Sequence, residues 1–182
     1  MDQWRLDFTC RKPLAPRVAG RLKDEIKQTK PFASAEEEVF LNLQRTAEVL
    51  MRALAEALKA AELTPTQFNV LRILRGAGAD GLPCSELGSR MVTHDSDVTR
   101  LLDRLEARGL VSRSRDRRDR RVILATISAQ GAELLGRADG LVDELLARRL
   151  GHLGPARLEQ LNDLLEAARS GESEERRAGS RE

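Results

Sequence analysis

Residues Leu82–Gly131 read LPCSELGSRMVTHDSDVTRLLDRLEARGLVSRSRDRRDRRVILATISAQG, and their order decides the fold. A short helical pattern covers about Cys84 to Met91, with Leu87 facing inward. A break at Val92 to His94 precedes a longer helix over about Asp95 to Arg108. Val98, Leu101, Leu102 and Leu105 supply its apolar face, and Gly109 supplies a helix stop. Two strand-like runs follow, Leu110 to Arg115 and Arg121 to Ile127, around a polar turn built on RDRRD. Helix, break, helix and hairpin in that order predict a winged helix-turn-helix: a mainly α fold with a small β-hairpin wing.

Working outward, Ser128 is placed to cap a helix from about Ala129 to Leu150, striped by Leu134, Leu135, Ala138, Leu141, Val142, Leu145 and Leu146. Gly151 and Gly154 interrupt it. Pro155 then opens a last helix to about residue 168, bearing Leu158, Leu161, Leu164 and Leu165. The polar stretch SGESEERRAGSRE is expected to be a disordered tail over 169–182. On the N-terminal side, Thr64, Pro65 and Gln67 form a capping box for a helix striped by Phe68, Leu71 and Leu74. Ser34 and Glu37 form another, opening a long helix that carries Phe40, Leu43, Ala47, Leu50, Leu54 and Leu58. Val18, Leu22 and Ile26 suggest a short helix from residue 17 that Pro31 ends. Residues 1–16, with Trp4 and Phe8, are expected to be a mobile arm. The expected organisation is therefore an arm over 1–16, N-terminal helices over 17–62, a winged domain over 63–128, C-terminal helices over 129–168, and the tail. The outer helices carry more apolar surface than a small winged domain can cover, which predicts a homodimer built from them.

The chain has 182 residues and a net charge of +2, so total charge says little about partners. Its distribution says more. Arg113, Arg115, Arg117, Arg118, Arg120 and Arg121 fall within nine residues, against only Asp116 and Asp119. Arginine at a hairpin tip suits the narrow minor groove of DNA, and flanking arginines suit phosphates. The two acids are expected to orient neighbouring guanidiniums. On the longer helix Ser96, Asp97, Thr99, Arg100 and Arg104 occupy the outward face. Its N-terminal residues are placed to read base edges in a major groove, Arg100 by a bidentate pair to guanine. Double-stranded DNA is the expected partner. A winged helix that binds protein instead of an operator is the alternative, but it has no need of clustered arginine.

Aromatics make up 3% of the residues, so the core must be aliphatic. The two cysteines, Cys10 and Cys84, form no disulfide framework, and His94 and His152 lie too far apart for a legible metal site. No cofactor or metal is expected. No nucleophile elbow, phosphate loop or HExxH pattern argues for an enzyme. No secretory or membrane-spanning run is present, which makes the cytoplasm the expected location. A thiol switch is the alternative regulatory device. Cys10 precedes an Arg-Lys pair, and Cys84 begins a helix, both features that favour a thiolate.

The segment Leu63–Gly131 resembles the winged helix-turn-helix of the MarR family of bacterial transcription regulators. The resemblance rests on DVTRLLDRLEARGLV followed by RDRRDRRVILATISAQG, with Asp116, Asp119, Arg120, Arg121 and Gly131 at the family's wing positions. Ile127-Ser128 stands where the family has Leu-Thr. The resemblance extends over about residues 34–168. It implies an obligate homodimer on a pseudo-palindromic operator, acting as a repressor that a small-molecule effector or thiol oxidation relieves.

Overall fold

A computed structural model describes residues 21–92 and 97–178. The contacts divide the chain into two compact units, with the boundary after Glu48. The first unit contains α1 (Arg21–Glu25) and the start of α2 (Ala35–Leu58). Residues 17–20 lie outside the described residues, and the helix expected to run up to Pro31 ends earlier, at Glu25. Lys27 adopts a left-handed conformation, φ 53°, and the Lys27 and Gln28 amides donate to the Asp24 and Lys23 carbonyls. That is a Schellman stop, which ends α1 before the proline is reached. The Ser34 cap forms, with the Glu37 amide donating to Ser34 Oγ at 3.2 Å. The Glu37 carboxylate reaches the Ala33 amide, one residue earlier than a capping box requires.

The second unit holds the rest of α2, then α3 (Pro65–Ala77), β1 (Leu82–Pro83), α4 (Cys84–Arg90) and α5 (Val98–Ala107). β2 (Val111–Arg115), β3 (Ile123–Ile127), α6 (Ala129–Leu150) and α7 (Pro155–Ala178) complete it. One-turn 3-10 helices lie at Lys59–Ala61 and Gly151–Leu153. The Thr64 capping box is complete: Thr64 Oγ1 accepts from the Gln67 amide and Gln67 Oε1 accepts from the Thr64 amide. Ser128 caps α6 by accepting from the Gly131 amide. α7 continues through Ala178, correcting the expected tail at 170–178. The stretch is polar, but Glu, Arg and Ala are good helix formers, so polarity alone did not end the helix. Among the described residues, no helix is long and apolar enough to cross a membrane.

One aliphatic core unites the elements from the end of α2 through α6. Leu58, Leu71, Leu74, Leu87, Leu105 and Leu135 are all fully buried, with Leu102 and Leu110 nearly so. α6 therefore contributes to the same core as the helix-turn-helix, through Leu135 and Ala138. Replacing any one of these leucines by alanine costs about 2–5 kcal/mol. The sheet has three strands in the order β1-β3-β2, one more than a hairpin. β1 pairs Leu82 with Ala125 and Pro83 with Leu124. It escaped the sequence pattern because two residues ending in proline carry no periodicity.

Candidate nucleic-acid interface

The reading helix is set by its ends. Asp97 Oδ1 accepts from the Arg100 amide at 3.1 Å, which caps α5. Its other oxygen holds the Arg100 guanidinium at 3.1 Å, although that side chain is 81% exposed. Asp97 thus both caps the helix and holds the Arg100 side chain. Thr99, Arg100 and Arg104 are all solvent-facing, and Arg104 Nε donates to the Arg100 carbonyl. Ser96 and His94 lie outside the described residues. At the other end Gly109, φ 69°, makes a second Schellman stop, with its amide on Glu106 and that of Leu110 on Leu105. The chain then turns directly into β2.

The wing is a five-pair antiparallel ladder from Val111↔Ile127 to Arg115↔Ile123. Ser112 and Thr126 face each other in register, with hydroxyls 2.8 Å apart. The tip is ordered by its two acids in different ways. Asp116 Oδ1 accepts from the Arg118 and Asp119 amides, and these two bonds hold its carboxyl below the usual aspartate range. It shapes the backbone, where guanidinium orientation was expected. Asp119 does orient a guanidinium: its Oδ1 accepts from the Arg121 amide and from Arg121 Nε at 3.2 Å. Arg115, Arg117, Arg118 and Arg120 are exposed and carry no ion pair among the described residues. The tip therefore presents several exposed cations without ion pairs on a hydrogen-bonded turn, a geometry that fits a polyanion.

Arg113 does not join them. Its Nε and Nη2 both bond Glu106 Oε2, at 2.8 and 2.5 Å, and Nη2 also meets Asp103 Oδ1 at 2.6 Å. Charge counting could not reveal this, because the partners lie on the preceding helix across a turn. Cys84, one of the two candidate switch cysteines, is half-buried. Burial pushes its thiol up, and the positive field of Arg113 only partly opposes that. The favourable helix start does not win, since α4 is short and the side chain is half-buried. Cys10 lies outside the described residues.

A cavity of about 290 Å³ lies between α2, α3 and α6. Leu54, Phe68, Val142 and Leu146 give it apolar walls, and Asn69 and Arg72 give it polar groups. The Arg72 guanidinium sits 5.7 Å from the Phe68 ring centroid. Asn69 Oδ1 accepts from the Val92 amide at 3.1 Å, tying this wall to the segment that leads into α5. Sequence periodicity marked these residues only as core and surface.

A sequence profile of the MarR family matches residues 63–123. The uncharacterized HTH-type transcriptional regulator YkoM of Bacillus subtilis (strain 168) is 30% identical over 141 residues, spanning 75% of this chain and 90% of that protein. The chain belongs to the MarR family. Solved MarR-type structures agree. The transcriptional repressor CouR of Rhodococcus jostii RHA1, bound to a 23-mer DNA duplex, superposes with TM-score 0.65 at 26% identity, over 76% of this chain and 99% of CouR. BpsR of Bordetella bronchiseptica, whose DNA binding is regulated by 6-hydroxynicotinic acid, gives TM-score 0.67 at 25% identity, over 76% and 97%. This MarR-family chain is thus a DNA-binding transcriptional regulator with a winged helix fold, like the transcriptional regulators it resembles.

Proposed function

We propose that the chain acts in the cytoplasm as a homodimeric repressor on a pseudo-palindromic operator. In this reading α5 enters the major groove, and the wing tip reaches the minor groove and its phosphates. The observation that carries it is the ordered tip with Arg117, Arg118 and Arg120 exposed and unpaired, adjoining a reading helix whose Arg100 is pre-aimed by Asp97. The dimer is supported by large apolar side chains left exposed on the long helices. Phe40 on α2 is 59% exposed, Leu146 on α6 44% and Leu164 on α7 62%. Closing them against a second copy places two reading helices about one DNA turn apart. A small-molecule effector is assigned to the cavity beside Asn69, whose bond to Val92 connects occupancy to the approach of α5.

The test is a salt series on a duplex carrying two half-sites about 10 bp apart, drawn from the promoter region of the chain's own gene. Arg120→Ala and Arg121→Ala should each weaken binding to all sequences and reduce the slope of log K against log salt by about 1. Arg100→Ala should instead relax preference at one position in each half-site. An unchanged slope for both wing variants would remove the wing from the interface. Equal affinity for one and two half-sites would remove the dimer.

A further inference from the structure

β2 is one of the two edges of the sheet, since β3 lies between it and β1. An edge strand needs something to fix its direction and satisfy its outward amides. Here α5 provides it. Glu106 Oε1 accepts from the Arg113 backbone amide at 3.1 Å, while Oε2 accepts from the Arg113 side chain. One carboxylate therefore grips β2 by main chain and side chain together. Asp103, one turn earlier on the same helix face, shares the Nη2 end of the guanidinium with Glu106. Arg113 is the central residue of the five-residue strand and retains only 25% side-chain exposure, so it is withdrawn from solvent and held by two acids.

We propose that Asp103, Glu106 and Arg113 form a latch that sets the wing's angle to the reading helix, making Arg113 a positioning residue instead of a DNA contact. This rests on the DNA-binding reading of the wing. Both acids lie in the C-terminal half of α5, so the latch ties the base of the wing to the same rigid rod that carries Arg100. Wing and helix then approach DNA with one relative geometry, and contacts in two grooves are made together. The planar fork of arginine is what lets Nε and Nη2 converge on one Glu106 oxygen while Nη2 also meets Asp103; a lysine ammonium is a flexible point charge without that preset geometry. Hydrogen bonding to Arg113 holds the Glu106 carboxyl below its ordinary range.

A sign test separates the latch from direct contact. If Arg113 touched DNA, Glu106→Gln would release a cation and remove a nearby negative charge, so binding would tighten or stay the same. The latch requires the opposite: Glu106→Gln and Arg113→Met each weaken binding by roughly tenfold, and the double variant is no weaker than the worse single one. Arg113→Lys should fall with them despite keeping its charge. Under the latch, hydroxyl-radical protection beneath the wing is lost while protection of guanine N7 beneath α5 persists. Tighter or unchanged binding by Glu106→Gln, additive losses in the double variant, or loss of both footprints together would each overturn the proposal. Should Arg113→Met fail to fold, Glu106→Gln decides alone by its sign. The affinities are also read on nonspecific duplex, so that a missing operator leaves the sign test standing.

Discussion

Gly131→Ala should destabilise the winged domain, although it replaces glycine by the best helix former inside a helix. A Cβ built at Gly131 would lie 2.1 Å from the Leu110 carbonyl oxygen and 3.0 Å from Ile127 Cγ1. The first contact must open by roughly 1 Å, and the obstacle is backbone, which cannot rotate away as a side chain would. Overpacking of this kind costs up to about 3 kcal/mol. Moving α6 also strains the bond from the Ser128 amide to that same Leu110 oxygen, at 3.0 Å, worth about 1 kcal/mol. Helix propensity returns about 1 kcal/mol. The net loss is about 3 kcal/mol, or a fall in Tm of roughly 6–12 °C for a chain of this size. Gly136→Ala in the same helix is the control, because no atom lies within 4 Å of its added Cβ. It should gain about 1 kcal/mol and raise Tm by roughly 2–4 °C. Paired thermal and urea denaturation of the two variants is the assay. A Gly131→Ala protein at least as stable as the unmodified chain, or two variants shifted in the same direction, would refute the reasoning.

Two further perturbations test the local chemistry. Thr64→Ala removes the acceptor half of the α3 capping box and should cost about 1 kcal/mol, read as a fall in Tm of roughly 2–4 °C. Glu106 and Asp116 both have carboxyl groups held below their ordinary values, by Arg113 and by the Asp119 and Arg118 amides respectively. Their stabilisation is therefore complete above the unfolded pKa values, near about 4, and is lost as pH falls through the lower folded values. Urea titrations through that acid window should show a shallower loss of stability in Glu106→Gln/Asp116→Asn than in the unmodified protein. Parallel pH curves would show that neither carboxylate is preferentially ionised in the folded state.

Legibility in the sequence followed the range of the interaction. The Thr64 box and the Ser128 cap involve residues three apart, so the types and spacing alone place them, and α6 runs over Ala129–Leu150 as its stripe predicted. The strands of the wing were readable from β-branched and apolar runs flanking a polar turn. What escaped depended on partners elsewhere. Arg113 looks like its five neighbours until the fold brings Glu106 beside it. β1 exists only because β3 has a free side to offer Leu82 and Pro83. The stop of α1 depends on a left-handed lysine, which composition does not announce. The arginine cluster itself was legible. Which of its members remain available to DNA was not, because availability is set by tertiary ion pairing.

The continuity of α6 has a mechanical consequence. Its 22 residues begin at Ala129, just after the Ser128 cap and the end of β3 at Ile127, and reach past Val142 and Leu146 on the cavity wall. At 1.5 Å per residue the helix is a rod about 33 Å long. A tilt of about 5° pivoting at one end displaces the other by about 3 Å, which exceeds the tolerance of a hydrogen bond. Ser128 clamps the near end to the Gly109 carbonyl at 2.6 Å, where the reading helix hands over to the wing. Under the effector reading proposed above, such a rod would convey occupancy of the cavity to the groove without a hinge loop, by stiffness and not by flexibility.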